Sequence, residues 1–564
     1  MKNKFLKSIF LAAAVITIGV TACTKKIDDA YLNPNAATRQ PIENILPGVI
    51  GGFTWFSSTA GTAFGVVIDG TFVGRYIQYW GINTGADSWG QMSMLGGAAD
   101  NGGSLWGTVY YGQGGNVNKI IQWGTEEEKW DYVGAAWAIR AWGWLELTQE
   151  YNYGIVKEAF DPNLSSFHYE DQPEIFDSCR AVCHRALEFL NRTDGNVSQA
   201  NLAIGDAFFN KGDVNKWKKF VYGILARSYI DLSYKSIFLS NHYADSAIKY
   251  AGLAMTTNAD NATVKVAGGS TSALNNYWGP FRANFGTYRQ GSYVARLMNG
   301  DDTTCFAGVT DPRCWYMLSE NLNGTFKGLL PWAGNSTMSN DYPKNFWRYA
   351  PQTKVGTTTY PIYPPSTSTP PVSQDSSRYL YQNTSPWPLM TASEMQFIIA
   401  EAALRKGDKT LALEAYKNGI NLNFDMLTND YPQNIPAGKQ ITPTVKSAYL
   451  SNPIIVPATA DGLTLTHIMN QKYIALYVWG TLETWVDMRK FHYIDTDPAT
   501  GKRVYAGFIP PSGNNLVSTN LGELTYRMRP RFNSEYLYDI PELTRIGAYQ
   551  YPNYNTYKPW FAIP

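Results

Sequence analysis

Apolar residues recur at intervals of three and four along several stretches, and each such stretch predicts a helix with one buried stripe. The clearest runs from Pro173 to Leu190, with Ile175, Cys179, Val182, Cys183, Ala186, Leu187 and Leu190 in register. Asp131 to Glu150 places Trp137, Ala141, Trp144, Leu145 and Thr148 on one side. Gly212 to Ser233 turns Trp217, Phe220, Val221 and Ile224 inward. His242 to Thr256 supplies its partner through Ala247, Ile248, Ala251, Ala254 and Met255. Glu394 to Lys406, a Gly407-Asp408 break, and Leu411 to Asn423 with Leu413, Ala415, Tyr416 and Ile420 repeat the arrangement. A last helical section runs from Leu465 through Trp479 to Arg489. Helix, Gly-Asp turn and second helix of similar length is the pattern of a tetratricopeptide hairpin, with spacing too uneven for a uniform array. The expectation is an all-α fold of divergent helical hairpins.

Between these stretches the periodicity fails. Phe53 to Gly115 interleaves aromatic residues with Gly70, Gly74, Gly81, Gly85 and Gly90, which predicts short helices and loops. Asn258 to Ser385 is irregular, and its part from Ala350 to Ser377, dense in Pro, Thr and Ser, reads as a surface excursion. Phe491 to Pro564 is rich in Tyr and Pro and reads as a loop-like segment closing over the body. Loops held by a rigid scaffold are where binding residues concentrate.

The chain begins with Lys2, Lys4 and Lys7, followed by an apolar run from Ile9 to Val20. That run is shorter than the roughly twenty residues a helix needs to span a bilayer. With Val20-Thr21-Ala22-Cys23 behind it, the order of parts is that of a secretory signal. A cysteine directly after the break resembles the lipobox of bacterial lipoproteins. Residues 1–22 are then the signal peptide, 23–36 a lipidated N-terminus and tether, and 37–564 a single domain. Fatty chains on Cys23 would hold the mature chain on a membrane while its body stays in water. Thr24 to Asp29 mixes both charges, so this tag leaves the exposed face undecided.

Composition removes several function classes. The net charge of +1 contains no basic block, which argues against nucleic acid. Aromatics make up 14% against 16% charged, a balance suited to a large aromatic core or to stacking a flat ligand. Cys179, Cys183, Cys305 and Cys314 are too few for a disulfide framework. Cys179 and Cys183 lie on the apolar stripe as small hydrophobes, and His184 points away from them. The other histidines, His168, His242, His467 and His492, show no zinc spacing. Glu394, Glu401, Glu483 and Asp487 sit within helical patterns as caps or buried ion partners, with Arg489 the candidate partner of Asp487. They do not read as the paired acids of a glycosidase. Neither a phosphate-binding loop, a dinucleotide fingerprint nor a nucleophile elbow is present. The chain reads as a binding protein, not an enzyme, with no cofactor beyond the lipid on Cys23; a structural Ca²⁺ in a loop stays open.

Several stretches together resemble the SusD/RagB family, in its second SusD-like branch. They are the lipobox at Cys23, Tyr31 to Asn35, Ala141-Trp142 with Leu147-Thr148 and Tyr151, Trp217 to Phe220, and Asp311-Pro312-Arg313. Leu389 to Glu394 leading into Ala400-Glu401-Ala402 follows, then Gln471 to Leu476 leading into Glu483-Thr484-Trp485, Asp487 and Arg489. The resemblance implies a lid on a SusC-like, TonB-dependent outer-membrane transporter, lipid-anchored and cell-surface exposed, that captures an oligosaccharide. Sugar binding needs flat apolar faces flanked by planar hydrogen-bonding groups. Arg75, Tyr76, Trp80, Asn83, Asp87 and Trp89 offer that mixture, as do Tyr277, Trp278 and Arg282, with Trp332 a further aromatic candidate. Two alternatives stay open: the same transport role with peptide cargo, and a membrane-anchored scaffold whose hairpins bind another protein.

Overall fold

The computed structural model describes residues 39–54, 56–57, 63–64, 66–82, 103–270, 274–282, 284–321, 324–333, 352–355, 358–361, 377–530 and 532–564. The predicted signal peptide, Cys23 and the predicted tether lie outside them. The principal helices are α1 (Ile42–Gly51), α2 (Val66–Tyr76), α3 (Gly115–Glu126), α4 (Trp130–Tyr151), α5 (Gln172–Leu190) and α6 (Val214–Ile230). They continue with α7 (Tyr243–Leu253), α8 (Ser292–Asn299), α9 (Ala392–Lys406), α10 (Lys409–Asp430), α11 (Leu465–Ala475) and α12 (Thr481–Lys490). The helices pack as a chain of neighbours: α3 on α4, α4 on α5, α5 on α6, α6 on α7, α7 on α9, and α9 on both α10 and α11. The all-α expectation holds, and among the described residues no helix is long and apolar enough to cross a membrane.

Local chemistry sets the hairpin turns. Gly407 closes α9 at φ +89°, a left-handed conformation that costs an L side chain dearly. The Asp408 side chain then accepts from the Leu411 amide and opens α10. Asp213 caps α6 through the amides of Asn215 and Lys216.

Helix α4 departs from its predicted stripe. With α3, α5, α6 and α12 around it, nearly every residue is buried. Trp142, off the predicted stripe, is fully enclosed, while Trp137 on that stripe is only partly covered, with the Arg140 guanidinium 5.3 Å from its ring centre. Helix α5 matches its prediction: Cys179 and Cys183 are buried free thiols and His184 is exposed.

A buried ionic network ties these helices together. Arg227 of α6 grips Glu394 of α9 with two bonds of 2.7 and 2.9 Å, and reaches Glu146 of α4 at 3.2 Å and Glu483 of α12 at 3.1 Å. Gln149 bridges Asp231 and Glu483. Lys490 pairs with Glu401 and Asp487 at 2.9 Å each, and Lys472 with Asp487 at 2.8 Å. The acids are thus ion partners as expected, but Arg489 is not the partner of Asp487. Two positions apart, they face different sides of α12. Arg489 instead stacks 3.6 Å over Trp485 and donates to the Tyr526 carbonyl, and burial pushes its pKa down to about 9.

Short antiparallel pairs fasten the irregular segments to this scaffold. β1 (Trp80–Ile82) pairs with β3 (Tyr288–Gln290), setting Trp80 opposite Gln290. β2 (Ala262–Val264) pairs with β4 (Trp387–Met390), which leads directly into α9. The C-terminal segment, expected to be loop-like, contains short helices over Phe532–Tyr538 and Ile540–Arg545. Its end docks through Lys235, which donates to the carbonyls of Trp560 and Ile563.

Candidate ligand-binding site

A cleft of about 400 Å³ opens where the C-terminal end of α1 meets the segments joined by β2 and β4. Pro47 to Thr54 form one side, Phe208 and Lys265 the rim, and Asn275, Asn276, Tyr277 and Trp387 the opposite wall. The wall is held by hydrogen bonds reaching across a hundred residues of chain. The Asn276 amide donates to the Asn383 carbonyl at 2.8 Å, and its Nδ2 donates to the Leu380 carbonyl at 2.8 Å. Asn275 Nδ2 donates to the Gly269 carbonyl at 2.9 Å. Gly279 lies so close to Asn383 that a Cβ would meet its backbone at 2.8 Å.

Behind Trp387 stands a slab of aromatic rings. Trp278 meets Trp387 edge-on at 5.2 Å, stacks on Phe285 at 4.6 Å, and receives Trp80 edge-on at 4.8 Å. Trp80 and Trp278 have no exposed surface, so neither offers a face to a ligand here. Their predicted stacking role gives way to a core role: the β1–β3 pair turns the Trp80 ring inward, and the Asn276 bonds to Leu380 and Asn383 set Trp278 behind Trp387. Tyr76 is likewise enclosed, its hydroxyl accepting from the Thr525 amide at 2.7 Å. Arg75 is buried over the Phe72 and Tyr288 rings, donating to the Thr71 carbonyl and the Tyr288 hydroxyl at 3.1 Å each.

Of the predicted residues that the structure describes, Tyr277 alone lines the cleft. Arg282 lies 5.2 Å from its ring centre, and burial pushes that guanidinium down to about 10. Trp332 is half-buried against the core and does not line the cleft. Asn83, Asp87 and Trp89 lie outside the described residues. Phe208, Lys265 and Trp387 are new to the site. Phe208 is 48% exposed while its neighbour Phe209 is buried, a choice that no periodicity signals.

A separate aromatic cleft of about 350 Å³ shares no lining residue with the first; Trp106, Tyr110, Tyr111 and Phe160 surround it beside the π-helical turn Thr108–Gly114. Neither cleft is lined by a pair of carboxylates, and among the described residues no group of three or more His, Cys, Asp or Glu is arranged to hold a metal. Apolar faces with a few polar groups suit recognition of a small molecule.

The architecture is thus that of a helical-hairpin scaffold presenting a ligand cleft on its irregular segments. A SusD-like family model, described as starch-binding and associating with the outer membrane, matches residues 70–510, and the chain belongs to that family. A SusD/RagB family protein of Bacteroides thetaiotaomicron is 19% identical with a TM-score of 0.59, over 93% of this chain and 99% of that one. A SusD homolog of Bacteroides fragilis is 18% identical with a TM-score of 0.64, over 93% and 100%. A chitin-binding SusD homolog of Flavobacterium johnsoniae is 15% identical with a TM-score of 0.59, over 93% and 98%. At these identities the likeness is one of fold. No protein with a curated description matches the chain. Family membership makes this an outer-membrane nutrient-binding protein of the kind paired with a SusC-type transporter.

Proposed function

We propose that the protein captures an oligosaccharide in the cleft beside Tyr277 and delivers it to a TonB-dependent, SusC-like transporter. Cys23 carries the lipid that anchors it at the cell surface, and residues 37–564 work as one domain. The observation that carries the reading is a cleft whose rim and wall combine Tyr277, Phe208 and Trp387 with Asn275 and Lys265, on a chain of this family. Its volume falls within the few hundred Å³ usual for small-molecule sites. Two proteins of the same fold are described as chitin-binding, which favours a glycan over other cargo.

The test is a glycan-array and peptide-pool screen on the chain starting at Thr24, followed by titration calorimetry with Tyr277→Ala. A glycan hit is expected, with affinity about tenfold lower in the variant, the scale of losing part of a large buried contact. Peptide binding without glycan binding would change the cargo and keep the transport role. Silence on both would favour the scaffold alternative.

A further inference from the structure

We infer that the cleft selects a glycan bearing an anionic substituent, a carboxylate or a sulfate, recognised by Lys265 together with Lys211 and Lys216. The inference rests on the capture reading above and adds a substrate class to it. Lys265 follows β2, and its amide donates to the Phe208 carbonyl at 2.8 Å, so the ammonium and the exposed ring share one rim of the cleft. Lys211 comes from the adjoining turn, where it sits at φ +55°, a conformation uncommon for a side-chain-bearing residue. That turn is built around buried Asp206, which accepts from the Gly212 amide and from Trp217 Nε1 at 2.8 Å, while the Lys211 amide donates to the Asp206 carbonyl at 3.1 Å. Such a turn holds Lys211 in place. Lys216 adds its charge from the first turn of α6.

The Lys211 turn is joined to the Lys265 strand through Phe208, and the two like charges are close enough to act on one another. Two ammonium groups are both donors and cannot satisfy each other. An anionic oxygen between them can accept from both, with the added strength of a charge-assisted bond. Among the described residues none of the three lysines forms an ion pair; Asp430 acts on Lys265 from a distance, against the like charges of Lys211 and Lys216. Partial desolvation, and then the like charges of Lys211 and Lys216, hold the Lys265 ammonium below the usual lysine range.

The experiment compares matched oligosaccharides on the mature chain. One pair is oligogalacturonate and its methyl ester; the other is a sulfated galactan fragment and its desulfated form. Titrations at 50 and 500 mM NaCl give the salt dependence. One anionic member is expected to bind about tenfold tighter than its neutral counterpart, the scale of one hydrogen bond to a charged group. High salt should shrink that advantage, and Lys265→Gln or Lys211→Gln should bring the ratio close to one. Which pair responds identifies the anion. Both lysines are exposed, and unchanged melting temperatures would exclude a folding defect in the variants. Equal affinities within both pairs, or a ratio indifferent to the lysine variants, would overturn the charge inference and leave glycan capture standing. Binding of no glycan at all would overturn capture and this inference together.

Discussion

Replacing Arg227 by Met isolates the contribution of the buried ionic network. The guanidinium is enclosed and holds Glu394, Glu146 and Glu483, while Nη2 also donates to the Leu389 carbonyl at 2.6 Å, where β4 enters α9. A Met side chain fills similar space but leaves three carboxyl groups without that cation. Removing one partner of a buried pair costs about 3–5 kcal/mol, because the remaining charge is stranded in low dielectric. For a chain of this length unfolding as a unit, that is a melting shift of about 2–4 °C at pH 7.5. The deficit should shrink in acid, because the stranded carboxyls take up protons in the folded state only. Their folded pKa then lies above the unfolded one, so stability falls as pH rises between the two values. Each extra proton recovers up to about 3 kcal/mol between pH 7.5 and 5.5. The wild type has the same sign on a smaller scale. Burial, with neighbouring acids, raises Glu146 and Asp231 to about 8, so its own stability declines from the ordinary carboxylate range towards pH 8. The assay is calorimetric melting of both proteins at pH 5.5 and 7.5. A variant as stable as wild type at pH 7.5, or a deficit independent of pH, would refute the reasoning.

Trp278→Ala should destabilise the fold by about 3–5 kcal/mol, since the ring is fully buried among Trp80, Phe285 and Trp387. If it weakens glycan binding at wild-type melting temperature, Trp278 is a platform and not core. Cys23→Ala should release the chain from the membrane fraction and abolish lipid labelling; retention of both would remove the anchor. Gentle extraction of the native protein should bring a TonB-dependent outer-membrane transporter with it, and a chain that always extracts alone would count against the lid role.

The sequence by itself determined what depends on near neighbours. Periods of three and four placed α5, α6 and the α9–α10 hairpin, because one buried stripe and one glycine with an Asp cap are local requirements. The proposed export signal before Cys23 is local as well, since its order of charge, apolar run and small residues is read before any folding. A spacing of two from Asp487 already speaks against Arg489 on a shared face; Lys490, three positions on from Asp487, and Lys472 of α11 are the partners of that carboxylate. Tertiary structure alone decided the rest. Helix α4 shows one stripe in sequence, yet is buried nearly all round because helices from both ends of the chain close on it. Tyr277 reaches the cleft and Trp278 the core although they are adjacent, the choice being made by the Asn276 bonds to residues 380 and 383. The cleft itself draws on α1, Phe208, Lys265, Tyr277 and Trp387, and no periodicity links residues so far apart. Side-chain spacing records which residues a single element buries together; a site built between elements depends on how their buried faces pack.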